Sequence, residues 1–121
     1  MALNDENNLC SKSFKFAVRI VKLYAWITDN KKEYILSKQL LSSGTSIGAN
    51  IAEANGAISS ADFSSKISIS YKECLETKYW LSLIKETKFI DAKLYSSLFA
   101  DVDELSKILF AILKRTRIKR N

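Results

Sequence analysis

The chain has 121 residues, a formal net charge of +6, and no histidine or proline. That length accommodates one domain, and 47% hydrophobic with 26% charged residues places it among globular chains rather than disordered ones. The missing histidine removes Ser-His-Asp and Cys-His arrangements, His-containing zinc sites and the Glu-x-x-His di-iron sites of helix bundles, so no catalytic residue, metal or cofactor is expected.

Met1 to Asn8 is polar and lacks the basic and apolar regions of a signal peptide, so residues 1–10 are predicted to be a polar leader. No apolar run approaches the roughly 20 residues that cross a bilayer. Two widely spaced cysteines, Cys10 and Cys74, predict free thiols in a reduced, cytoplasmic protein.

With no proline and three glycines, long helices are permitted, and periodicity locates four. The first runs from about Ser11 to Thr28, with Phe14, Ala17, Val18, Val21, Tyr24 and Ala25 on its predicted core face. A second stripe, Phe16, Ile20, Leu23 and Ile27, lies about 130° away around the helix. It is either a broad core edge or, the reading preferred here, a contact with another subunit, because monomers rarely expose contiguous apolar patches. Lys12, Lys15, Arg19 and Lys22 fill the remaining arc and lead to Trp26. Such a row is either a solvated face or a surface for phosphate contact and base stacking.

The second helix covers roughly Glu33 to Asn55, with a seam of Leu40, Gly44, Ile47, Ile51 and Ala54. The third begins near Ser60 and buries Phe63, Ile67, Ser70, Cys74, Thr77, Leu81 and Ile84. Off that seam stand Tyr79 and Trp80, expected at a bundle edge or an interface. The fourth opens at about Asp91 and uses Tyr95, Leu98, Val102, Leu105, Leu109 and Ile112. Every seam alternates threes and fours, the spacing of knobs-into-holes packing. Short connections make successive helices antiparallel neighbours, so the predicted fold is an all-α, up-down-up-down four-helix bundle in a single domain, 1–121.

The chain ends in Lys114, Arg115, Arg117, Lys119 and Arg120, within a basic tail at residues 114–121. Removing those five from 19 basic residues leaves 14 against 13 acidic ones, so the positive charge is largely terminal.

The segment from Ser42 to Asn50 is rich in small residues. It lacks the Lys-Ser/Thr ending of a phosphate loop and the apolar surroundings of a membrane Gly-x-x-x-Gly motif. Two helical glycines, Gly44 and Gly48, each cost about 1 kcal/mol, which close helix approach must offset. Ser46, Asn50, Glu53, Ser70, Glu73, Glu76 and Thr77 are expected to form polar contacts between helices 2 and 3 or at a subunit boundary. An acid/base pair among the glutamates is disfavoured, because nothing in the sequence splits their pKa values.

The run from Gln39 to Ala54, Gln-Leu-Leu-Ser-Ser-Gly-Thr-Ser-Ile-Gly-Ala-Asn-Ile-Ala-Glu-Ala, resembles the signature of the 23S rRNA intervening-sequence proteins. Phe14, Ala17 and Tyr24, and Ser70, Glu73, Glu76 and Thr77, add to the likeness; Cys74 departs from it where a larger aliphatic is usual. The resemblance implies a bacterial, cytoplasmic, ribosomal-protein-like four-helix bundle that forms a ring-like homopentamer. It also implies kinship with the accessory protein of diversity-generating retroelements, which binds a reverse transcriptase and nucleic acid. The function expected is non-enzymatic association with RNA or a ribonucleoprotein through Lys12, Lys15, Arg19, Lys22 and the basic tail. The rival is an adaptor whose ligand is a protein, and steep salt dependence separates the two. Neither a membrane nor a small-molecule substrate is expected.

Overall fold

The computed structural model describes residues 8–120, with side chains described through residue 116. Four helices follow one another, α1 (Leu9–Lys31), α2 (Leu36–Asn55), α3 (Ser60–Glu86) and α4 (Ala92–Arg120). Local chemistry sets their ends. Before α2, the Glu33 carboxylate accepts the backbone N–H groups of Ile35, Leu36 and Ser37 at 3.0, 2.9 and 2.8 Å. The Ser59 hydroxyl accepts the Asp62 N–H at 3.0 Å and opens α3, while Asp91 accepts the Leu94 N–H at 2.8 Å and opens α4. Past the end of α3, Lys88 takes the left-handed conformation (φ 67). Its N–H reaches the Lys85 carbonyl and the Phe89 N–H reaches the Ile84 carbonyl, the two bonds of a Schellman stop.

Cross-helix contacts fix the direction of each neighbour. Gly44 faces Ile20 and Gly48 faces Ser13, so α2 runs against α1. Ser70 donates to the Ile47 carbonyl at 2.8 Å, and Thr77 meets Ser43 at 3.0 Å, so α3 runs against α2. Ser82 with Tyr95, then Lys78 with Asp103, place α4 against α3. Lys12 pairs with Glu104 and Arg19 with Asp101, which closes the square antiparallel. The α1–α4 pair packs most sparsely of the four.

The core contains the seams of α2, α3 and α4 as their periodicity predicts, except that Tyr95 is only half-buried. In α1 the two stripes are exchanged. Phe16, Ile20, Leu23 and Ile27 are at most 6% exposed and lie in the core of their own protomer, so they are not a subunit contact. The face expected inside is outside instead, with Phe14 70%, Val21 49% and Val18 38% exposed. Helix α1 also begins earlier than predicted. Leu9 is fully buried, which continues the Phe16 stripe by one heptad through the buried Ser13 and shortens the leader. Residues 1–7 of that leader lie outside the described residues, as do the side chains of Arg117, Lys119 and Arg120. The basic tail forms the last turns of α4, a continuous helix to Arg120.

Candidate functional site

Helix α1 presents three different faces. One packs into the core, one is apolar and exposed, and one is cationic and turned toward α4.

The cationic face is partly neutralised. The Arg19 guanidinium donates to Asp101 at 2.6 Å and to the Ser97 hydroxyl at 2.9 Å, and Lys12 meets Glu104 at 3.0 Å. These partners are 36–54% exposed, so each pair contributes at most about 1 kcal/mol to stability. Lys15 and Lys22 are exposed and make no ion pair among the described residues. Of the four cations expected on this row, two are therefore open to an incoming anion and two are already matched. At the far end of α4, Lys114 is exposed and lies 5.7 Å from the Phe110 ring centroid, with the exposed Arg115 beside it.

The sparse α1–α4 seam leaves hollows beside the row. One of about 370 Å³ is floored by Leu23, Ile90, Leu94 and Leu98 and edged by Arg19, Lys22, Trp26 and Asp91. Trp26, 45% exposed, also borders a second hollow of about 500 Å³ at the bundle end.

The apolar face of α1 continues across to α2. Phe14, Ala17, Gly48, Ala49 and Ala52 line an open groove of about 450 Å³ whose surface is almost wholly apolar. The small residues of the α2 segment thus serve two contacts. Gly44 lets the fully buried Ile20 close on α2, and Gly48 with its alanine neighbours leaves the groove unfilled.

The polar residues of α2 and α3 divide into three groups. Ser70, Thr77 and Glu53 do bridge the two helices, the last through Lys66 at 2.9 Å. Ser46 and Asn50 do not. Ser46 bonds the Ser42 carbonyl at 2.7 Å, and Asn50 bonds the Ser46 carbonyl at 2.8 Å, both within α2. Among the described residues Glu73 and Glu76 make no hydrogen bond or ion pair to α2. Glu76 accepts the Trp80 indole N–H at 3.2 Å, and Tyr79 packs edge-on against that indole. Partial burial, with Glu76 close by, raises the Glu73 carboxyl above the usual range. Neither glutamate lines the hollows beside α1, and the shift is that of a carboxyl packed against its neighbours. Burial pushes the Cys74 thiol up to about 12, which leaves it a core side chain without nucleophilic character. Among the described residues no cluster of metal-ligating side chains occurs, and no helix is long and apolar enough to cross a membrane.

The model of the 23S rRNA-intervening sequence proteins matches residues 5–111, spanning all of α1–α3 and most of α4. The chain belongs to that family. A crystal structure of a protein of unknown function from the S23 ribosomal protein family, from Bacteroides thetaiotaomicron VPI-5482, is 49% identical. It superposes with a TM-score of 0.86 over 88% of this chain and 98% of its own. None of the curated proteins matches. In this family member, sequence reasoning missed the exposed α1–α2 face and the carboxylates that engage Lys12 and Arg19. The first was detectable, because Leu9 extends the alternative stripe; the second depends on which helix lies beside α1.

Proposed function

We propose that this member of the 23S rRNA-intervening sequence family is a non-catalytic, self-associating cytoplasmic protein that binds RNA or a ribonucleoprotein. The observation that carries the reading is the division of α1 into a cationic edge and a separate, exposed apolar face. Copies of the chain join through Phe14, Val18, Val21 and the adjoining α2 groove, which takes over the role first expected of the Phe16 stripe. That leaves Lys15, Lys22, Lys114 and Arg115 facing outward. A ring such as the homopentamer implied by the family resemblance multiplies weak phosphate contacts through effective concentration.

Two measurements test the two halves. Val18→Asp with Val21→Asp introduces charge on the exposed face only. The expected outcome by light scattering is dissociation to 13.7 kDa protomers with helicity retained. An unchanged mass places the subunit contact elsewhere. Anisotropy titration of structured rRNA fragments at two salt concentrations tests the second half, with the full chain and a chain ending at Leu113. Binding should fall with salt, and losing up to five terminal cations should flatten the log–log slope by about 4.

The neutralisation of Lys12 and Arg19 favours a second reading, an adaptor whose ligand is a protein such as a polymerase. Affinity for such a partner with little salt dependence, and no RNA binding at low salt, would select it.

A further inference from the structure

The end of the bundle formed by the C-termini of α1 and α3 and the N-terminus of α4 carries a feature the basic row does not explain. Trp26 borders both the apolar-floored hollow of about 370 Å³ and a polar hollow of about 500 Å³ lined by Lys31, Lys85, Lys88, Phe89 and Ile90. Lys31 holds its ammonium 5.6 Å from the indole centroid, and Lys85 sits 5.2 Å from that of Tyr95. Helix-dipole attraction accounts for lysines in the last turns of α1 and α3. It does not require Lys88 to occupy a left-handed position (φ 67), where glycine is the less strained choice. Two carboxylates stand among these cations: Asp91 lines both hollows and accepts the Leu94 N–H, and Glu86 lies 3.9 Å from Lys85.

Resting on the RNA reading above, we infer that this double hollow is a site for one unpaired nucleotide of a single-stranded RNA. Its base lies against Trp26 over the floor of Leu23, Leu94 and Leu98, and its flanking phosphates lie among Lys31, Lys85 and Lys88. An exposed indole between an apolar slot and a cluster of ammonium groups matches the two halves of a nucleotide. A base supplies a flat apolar face that stacks regardless of sequence, and the phosphate supplies the charge. Duplex RNA buries its base faces and offers only the phosphates, so the site discriminates between the two forms.

The test uses the full chain with Trp80→Phe, which leaves Trp26 as its only indole. A single-stranded oligouridylate of about ten nucleotides is titrated while Trp26 emission and anisotropy are followed. The expected result is quenching by the single strand and little quenching by a duplex of equal length. Lys31→Ala with Lys88→Ala should flatten the log–log salt slope by about 1.4. Trp26→Leu should weaken binding roughly 5- to 150-fold with circular dichroism unchanged. If the single strand binds by anisotropy with neither quenching nor loss in these variants, the site is refuted while RNA association stands. If no RNA binds at low salt, both fall. Equal quenching by duplex RNA or by polyglutamate would also overturn the inference, because the hollow would then answer to charge alone.

Discussion

Gly44 and Gly48 stand one helical turn apart in the same small-residue segment, yet their surroundings differ. A β-carbon on Gly44 would meet both γ-carbons of Ile20 at 3.0 Å, and Ile20 is fully buried with a stiff branched side chain. A β-carbon on Gly48 would lie 3.4 Å from the Ser13 carbonyl oxygen and hydroxyl, which is ordinary contact. In both cases alanine recovers about 1 kcal/mol of helix propensity. At Gly44, overpacking of about 1–3 kcal/mol outweighs that gain, so Gly44→Ala lowers stability. Gly48→Ala raises it by up to about 1 kcal/mol. Urea unfolding of the two variants under identical conditions checks the opposite signs, and equal signs would remove the distinction.

At the scale of the element, α2 depends on a carboxylate that precedes it. Burial alone would raise the Glu33 carboxyl, but backbone bonds from Leu36, Ser37 and Ile35 outweigh it and hold the group below the usual carboxylate range. A lowered folded pKa gives stability that is present above the unfolded value and lost as pH falls through the folded one. Glu33→Gln should therefore cost about 1 kcal/mol at pH 7. The difference should shrink toward zero as pH drops below about 4. A gap independent of pH would mean that the charge is not what caps α2. The seams of α2, α3 and α4 were legible because each helix has one apolar face, so a 3–4 rhythm has one solution. Helix α1 has two. Periodicity cannot rank them; side-chain volume can, since Phe16, Ile20, Leu23 and Ile27 fill an interior that Ala17, Val18 and Ala25 would leave hollow. The capping role of Glu33 was also missed, because the predicted helix began at that residue and placed its side chain along the helix instead of before it. Where Lys12 and Arg19 point was beyond local pattern, since their partners lie more than 80 residues away.

For the whole molecule, Asp101 and Glu104 decide how much of the positive charge is available. Asp101→Asn with Glu104→Gln raises the net charge by two from +6 and releases Arg19 and Lys12. If the α1–α4 face meets RNA, affinity rises and the log–log salt slope steepens by about 1.6 in the same anisotropy titration. An unchanged slope would assign RNA contact to other cations. The sparse seam that these pairs close also bears on how the bundle assembles. Three of its four helix contacts join sequence neighbours and form early at little loop-closure cost, whereas α1 meets α4 only after most of the chain is placed. That seam should be unformed in the folding transition state. Asp101→Asn alone is then expected to speed unfolding in stopped-flow experiments and leave the refolding rate unchanged.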